Sequence, residues 1–118
     1  MDEGRPIFLQ IAERIESDIL DGVMAEEAQV PSINELAAFY RINPATALKG
    51  INLLVDAGVL YKRRGIGMFV AEGARAQLLK RRRADFQEEH VRPVAVRARS
   101  LGFTSAELTE MIRKEMGQ

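Results

Sequence analysis

Apolar residues recur at helical spacing in the first forty residues of the chain. Over residues 6–21 they fall on one face of a helix, with charged and amide side chains on the other. A second, shorter helix is predicted after Ser32, because Ser32 and Glu35 have the spacing of a capping box. In this second helix we expect Leu36 and Phe39 to be buried.

A third helix is predicted from Asn43 as the N-cap and Pro44 as the first helical residue, and it ends at Gly58. One apolar stripe runs along it, formed by Ala47, Leu48, Ile51, Leu54 and Val55. The opposite face carries Ala45, Thr46, Lys49 and Asn52. Leu53 fits neither face. Gly50 lies in the middle of this helix, where glycine costs roughly 0.5–1 kcal/mol relative to alanine.

Two β-prone runs follow, at residues 59–62 and 68–71, and two glycines lie in the segment that joins them. This pattern predicts an antiparallel hairpin. Beyond residue 73 the spacing is helical to the end, with Pro93 expected to kink or interrupt the helix. Thr104 and Glu107 then form a second capping box, which begins a last helix.

The predicted fold is therefore mainly α with one small β-hairpin. Three helices followed by a glycine-containing basic hairpin are the order of a winged helix-turn-helix, in which the third helix enters a major groove of DNA. We expect residues 1–72 to form this DNA-binding domain and residues 73–118 to form a two-helix dimerisation region.

Composition narrows the possible functions. The 118 residues include no cysteine and one histidine, so a disulfide scaffold, a thiol nucleophile and a multi-histidine metal centre are excluded for this chain alone. The acidic start Met1-Asp2-Glu3 does not resemble a secretory signal, and no apolar run is long enough to span a membrane. We expect a cytoplasmic protein that is not an enzyme and needs no cofactor or metal.

The net charge of zero conceals a segregation of charge along the chain. Residues 1–40 carry two basic and nine acidic side chains, whereas residues 41–84 carry ten basic and two acidic ones. Such a basic block favours a polyanionic partner over a merely solvated surface once it coincides with a helix-turn-helix pattern.

The candidate DNA contacts come from the start of the second helix, the third helix and the hairpin. Asn, Lys and Thr side chains near the start of the third helix can pair with base edges, and three successive cations beside glycines can approach phosphates. The predicted DNA-binding residues are Ser32, Asn34, Arg41, Asn43, Ala45, Thr46, Lys49, Lys62, Arg63, Arg64, Gly65 and Gly67.

Apolar residues of the last 40 positions exceed what two helices can cover. We expect them to pair two copies of the chain, with His90 packed in the same interface and not acting as a ligand or base. The predicted interface residues are Leu79, Phe86, His90, Val94, Leu101, Phe103, Leu108, Met111 and Ile112.

Four segments, in this order, resemble the GntR-type winged-helix regulators, and within them the short YtrA-like subgroup. They are residues 6–11 (PIFLQI), 30–37 (VPSINELA), 42–46 (INPAT) and 62–70 (KRRGIGMFV). The resemblance implies a DNA-binding regulator with a short helical dimerisation tail. One departure concerns Asn34, which stands where the family has an arginine that contacts the DNA backbone.

The sequence thus predicts a homodimeric repressor that binds double-stranded DNA at an inverted repeat. An unidentified small-molecule effector is left open as a further partner, and no membrane partner is expected. Two alternatives remain. One is a winged-helix module that binds a protein or RNA, and the other is an architectural DNA binder without operator preference.

Overall fold

The structure, a computed structural model, describes residues 4–118, so the acidic start Met1-Asp2-Glu3 lies outside the described residues. Within residues 4–118, six α-helices, one two-stranded antiparallel sheet and a short π-helical segment follow one another. Their bounds are α1 Ile7–Leu20, α2 Ile33–Tyr40, α3 Pro44–Asp56, β1 Leu60–Arg63, β2 Gly67–Val70, α4 Ala74–Phe86, the π-helical segment Gln87–Val91, α5 Arg92–Ser100 and α6 Ser105–Met116.

The chain divides into two compact units, which meet in sequence after Lys80, within α4. The boundary expected at residue 72 precedes this division, because Ala74 and Leu78 of α4 are fully buried in the core of the first unit. Two bonds also tie the start of α4 to that unit. Arg75 Nε donates to the carbonyl of Leu20 at 3.1 Å, and Gln77 Nε2 donates to that of Ala57 at 2.7 Å.

The core of the first unit lies where α1, α2 and α3 meet the hairpin. Its largest fully buried side chains are Ile11, Ile15, Ile19, Ile51, Val59, Leu60, Val70 and Leu78. Both helix starts predicted for α2 and α3 are confirmed. Ser32 and Glu35 form the capping box of α2, and Asn43 caps α3 with Pro44 at its first position.

Gly50 has a packing role that its helix propensity does not reveal. It is buried where α3 crosses α1, and a Cβ at this position would lie 2.8 Å from the carbonyl oxygen of Phe8. Since a backbone oxygen cannot move aside as a side-chain end can, glycine is the residue that lets the two helices approach this closely. We expect this contact to offset the loss of helix propensity.

One predicted core position is wrong, and one residue of the apolar stripe predicted for α3 lies outside the core. Phe39 is 79% exposed, because the core-facing side of α2 is set by Leu36 and Ala37, and Tyr40 continues that side while Phe39 does not. Leu48 is exposed because Ala47, Ile51 and Leu54 form the buried stripe of α3, and Leu48 lies beside it. Leu53, which fitted neither face, is also exposed.

The hairpin forms as predicted, with Leu60 opposite Val70 and Arg63 opposite Gly67. The sequence did not reveal that the segment before α2 pairs with β2. Val30 N–H donates to Met68 O at 2.9 Å and Val70 N–H donates to Ala28 O at 2.9 Å. This segment therefore acts as a short third strand on the edge of the hairpin.

The second unit, residues 81–118, is helical. Pro93 lies in the first turn of α5, and the chain before it adopts the wider π-helical turn of Gln87–Val91, so the helix is distorted there but not ended. Gly102, with a φ of 82°, ends α5, and the capping box of Thr104 and Glu107 begins α6 as predicted. Ala98 is the one buried hydrophobic residue in this unit.

Candidate nucleic-acid interface

The start of α3 is built by its cap. The Oδ1 atom of Asn43 accepts a hydrogen bond from the N–H of Ala45 at 2.9 Å, so this side chain is engaged in shaping the helix. Before it, Arg41 ends α2 in the left-handed conformation with a φ of 54°, and its N–H donates to the carbonyls of Ala37 and Ala38. The turn between the two helices is therefore closed by backbone bonds, and the Arg41 side chain is exposed.

The outer face of α3 presents Ala45 and Lys49 to solvent, whereas Thr46 is half-buried. The ammonium of Lys49 lies 4.1 Å from the centroid of the Phe8 ring on α1. A cation held over an aromatic face at an exposed site gains about 0.5–1 kcal/mol. Lys49 is thus oriented by α1, a contact that the sequence did not predict.

The N-terminus of α2 is largely satisfied by its own side chains. Glu35 N–H donates to Ser32 Oγ at 3.1 Å, and Ser32 N–H donates to the Glu35 carboxylate at 3.0 Å. The bond from the Ser32 backbone N–H to the carboxylate, and after it a hydrogen bond from the Ser32 side chain, hold the pKa of Glu35 below its ordinary value. A phosphate at this helix end would meet the exposed Asn34 side chain but also the negative charge of Glu35.

The hairpin, which we call the wing, carries three exposed cations at its tip, Lys62, Arg63 and Arg64. Its turn is closed by Ile66 N–H donating to Arg63 O at 2.9 Å. Gly65 and Gly67 have φ values of 77° and 144°, which residues other than glycine rarely adopt.

Aromatic residues support the wing from within. The guanidinium carbon of Arg63 lies 4.9 Å from the centroid of the Phe69 ring, and Phe69 stacks on Tyr61 with ring centroids 5.9 Å apart. The Tyr61 hydroxyl donates to the carboxylate of Glu27, and this bond raises the pKa of Tyr61. The base of the wing is therefore fixed to the segment that precedes α2.

The predicted interface residues of the tail are divided between the units, with Leu79 in the first and the others in the second. All remain exposed except Leu108, which is half-buried. Phe86 and His90 lie with ring centroids 5.5 Å apart. Val94, Leu108, Met111 and Ile112 line one open groove of about 400 Å³ on α5 and α6.

The sequence profile described as "Bacterial regulatory proteins, gntR family" matches residues 8–70, more than half of the chain. The chain belongs to the GntR family. This GntR-family chain is 28% identical over 109 residues to the HTH-type transcriptional repressor YtrA of Bacillus subtilis, an alignment that covers 92% of the chain and 83% of YtrA. The resemblance seen in the four sequence segments is thereby confirmed.

Two solved structures extend the comparison. The GntR-family chain matches a putative transcriptional regulator from Bacteroides thetaiotaomicron with a TM-score of 0.80 and 35% identity, over 94% of this chain and 96% of the other. It also matches AraR(DBD) in complex with operator ORR3, with a TM-score of 0.53 and 36% identity, over 54% of this chain and 77% of that one. The fold of the GntR-family chain is a winged helix-turn-helix followed by C-terminal helices.

Among residues 4–118 of this GntR-family chain, no helix is both long and apolar enough to cross a membrane. Nor does the described part of the chain contain a cluster of His, Asp and Glu side chains placed to hold a metal ion.

Proposed function

We propose that this chain is a transcriptional repressor, and not an enzyme, that binds a specific operator in double-stranded DNA. The observation that carries the proposal is the joint exposure, on one compact unit, of the outer face of α3 and the cationic tip of the wing. The likeness of this unit to AraR(DBD), which was solved in complex with an operator, supports the same partner class. Occupancy of a promoter would obstruct RNA polymerase.

The two elements have different tasks in this proposal. Thr46 and Lys49 on α3 meet base edges in the major groove, where donor and acceptor patterns distinguish all base pairs. Arg63 and Arg64 on the wing meet phosphates or the wall of the flanking groove, which carry little sequence information. Ser32, Asn34 and Arg41 contribute contacts to the backbone beside α3.

We propose further that two copies of the chain assemble through the second unit. The groove lined by Val94, Leu108, Met111 and Ile112 is apolar and open, and a 38-residue unit with one buried hydrophobic residue cannot stabilise itself through its own core. A homodimer would bind an inverted repeat with half-sites about one helical turn, or a multiple of it, apart. We assign this groove to the second copy and not to a small-molecule effector.

The test is a titration of two duplexes, one selected by the wild-type protein from a random pool and one scrambled, at several salt concentrations. Replacing Arg63 or Arg64 with alanine should weaken both complexes alike and lower the salt slope by about one unit per lost phosphate contact. Replacing Thr46 or Lys49 with alanine should weaken binding to the selected duplex by about 1–3 kcal/mol, through the loss of contacts to particular base pairs. Binding to the scrambled duplex should be nearly unchanged.

Arg113→Ala is the matched control, because Arg113 is an exposed cation of the second unit paired with Glu110 at 2.9 Å. It should change neither affinity nor salt slope. If the wing variants bind as the wild type does, the wing is not a DNA contact. If the wild-type chain does not distinguish the two duplexes, it is an architectural binder, and if it binds only single-stranded RNA or a protein, the repressor proposal is wrong.

A further inference from the structure

The tip of the wing is held from outside the hairpin by Gln29. The Nε2 atom of Gln29 donates to the carbonyl of Ile66 at 3.0 Å, in the turn that joins β1 and β2. Gln29 belongs to the segment before α2, and 37 positions separate the two residues. A local feature of the hairpin is thus set by a distant part of the chain.

Gly67 provides the space into which the Gln29 amide fits. A Cβ at Gly67 would lie 2.6 Å from Gln29 Nε2, closer than non-bonded atoms approach. Gly67 also has a φ of 144°. The absence of a side chain therefore permits both this backbone conformation and the close approach of the Gln29 amide. Gly67 therefore leaves room for the Gln29 amide, in addition to adopting the backbone conformation of the turn.

The backbone of Gln29 contacts the wing as well. Gln29 lies opposite Phe69 as an isolated antiparallel bridge, and Phe69 is the ring over which the Arg63 guanidinium lies. One residue thus touches both the turn and the strand residue that orients a cation of the tip. The strands of the hairpin are anchored in the core by Leu60 and Val70, so the bond from Gln29 acts on the order of the exposed turn at the tip before DNA arrives.

We propose that Gln29 is a positioning residue for DNA binding, which acts through the wing without touching DNA. This role rests on the proposed function of the chain. With the tether, Arg63 and Arg64 are presented in a restricted set of positions, and binding loses less conformational entropy. Without it, the same contacts form from a more mobile tip, and the complex is weaker.

The test is Gln29→Met, which keeps the length and shape of the side chain and removes the N–H donor. We expect affinity for the selected and scrambled duplexes to fall alike, by about threefold to tenfold, the size of one net hydrogen bond. In free protein, ¹⁵N relaxation should show greater mobility of the backbone amides of Gly65, Ile66 and Gly67, which a general loss of stability would not confine to the tip.

Gln77→Met is the matched control, since Gln77 makes an equivalent bond to the carbonyl of Ala57 at 2.7 Å, away from the tip. It should leave DNA affinity and tip mobility unchanged. In an Arg63→Ala/Arg64→Ala background, Gln29→Met should have no further effect on affinity. A full effect in that background overturns the proposal, because Gln29 would then contact DNA itself.

Failure of the two proposals can be told apart. If the wild-type chain binds no duplex, the proposed function falls and the positioning role falls with it. If the wild-type chain binds DNA but Gln29→Met binds equally well, or leaves the tip amides as rigid as before, the positioning role alone is wrong.

Discussion

The two compact units of this chain bury their apolar residues to opposite extents. The first unit has a continuous core of isoleucine, leucine and valine side chains, many of them fully buried. The second unit buries Ala98 and leaves large residues such as Phe86, Leu101 and Met116 more than half exposed. From this difference we expect the first unit to fold alone and the second to need a further apolar surface.

The largest expected effect comes from separating the units. A chain ending at Lys80 should unfold in one cooperative transition, because it retains Ala74 and Leu78 in its core. A peptide of residues 81–118 should be helical only where it assembles and should lose its helical content on dilution to a monomer, since isolated helices of this length are marginal in water. Circular dichroism with thermal melts checks both.

A stably helical, monomeric 81–118 peptide would contradict this account, because the exposed apolar residues would then need no partner. Cutting instead after residue 72 gives a control for the boundary. That shorter chain lacks Leu78, which is fully buried, and should be less stable than the chain ending at Lys80.

The second prediction tests the apolar groove of the second unit. Ile112, which is 45% exposed in the monomer, lines the groove, and Ile112→Glu should place an unpaired charge in the proposed dimer interface. We expect dimerisation to weaken by about 3 kcal/mol or more, as sedimentation equilibrium would measure. The matched control is Val23→Glu, at an exposed valine of the first unit, which should leave assembly unchanged. An Ile112→Glu chain that sediments as the wild type does would exclude this groove as the interface.

The third prediction compares the response of the units to one added methyl group. Gly50→Ala should destabilise the first unit by about 1–3 kcal/mol, because the new Cβ meets the carbonyl oxygen of Phe8. Val96→Ile adds a methyl group at an exposed position of α5 and should change the free energy of unfolding by less than about 0.5 kcal/mol. Urea denaturation measures both. If Gly50→Ala stabilises the chain, helix propensity outweighs the close approach of α1.

Local signals predicted most of the fold, and contacts between distant segments account for what they missed. The caps at Ser32, Asn43 and Thr104 depend on side chains within three residues, so their spacing is legible in the sequence. The amide of Gln29 on the wing and the ring of Phe8 under Lys49 join segments 37 and 41 positions apart. No periodicity encodes such pairs, because they arise only when the helices and strands have packed.

The candidate interface shows the same limit. The cations of the wing and the start of α3 were predicted from composition and capping, and the structure leaves their side chains exposed except for half-buried Thr46. Phe39 was misplaced because a two-turn helix has room for apolar residues on more than one face. Which face meets the core depends on how α2 packs against α3.

The smallest expected effect concerns the two capping boxes, which repeat the same chemistry in the two units. Ser32→Ala removes a cap from a helix packed on a core, and Thr104→Ala removes one from a helix of the second unit. Each should cost about 1 kcal/mol of helix stability. We expect Ser32→Ala to lower the free energy of unfolding of the first unit, measured on the chain ending at Lys80, and Thr104→Ala to weaken dimerisation of the full chain.

Lowering the pH provides a second way to compare the two capping boxes. The pKa values of Glu35 and Glu107 are both lowered, chiefly because each carboxylate accepts a hydrogen bond from the backbone N–H of its cap residue. Since the folded pKa lies below the ordinary value of 4.5, the stabilisation is complete above that pH and is lost as the pH falls through the folded pKa. Glu35→Gln should therefore flatten the acid limb of unfolding of the first unit, and Glu107→Gln that of dimer dissociation. If Glu107→Gln instead alters the first unit's acid limb, the two units do not respond independently.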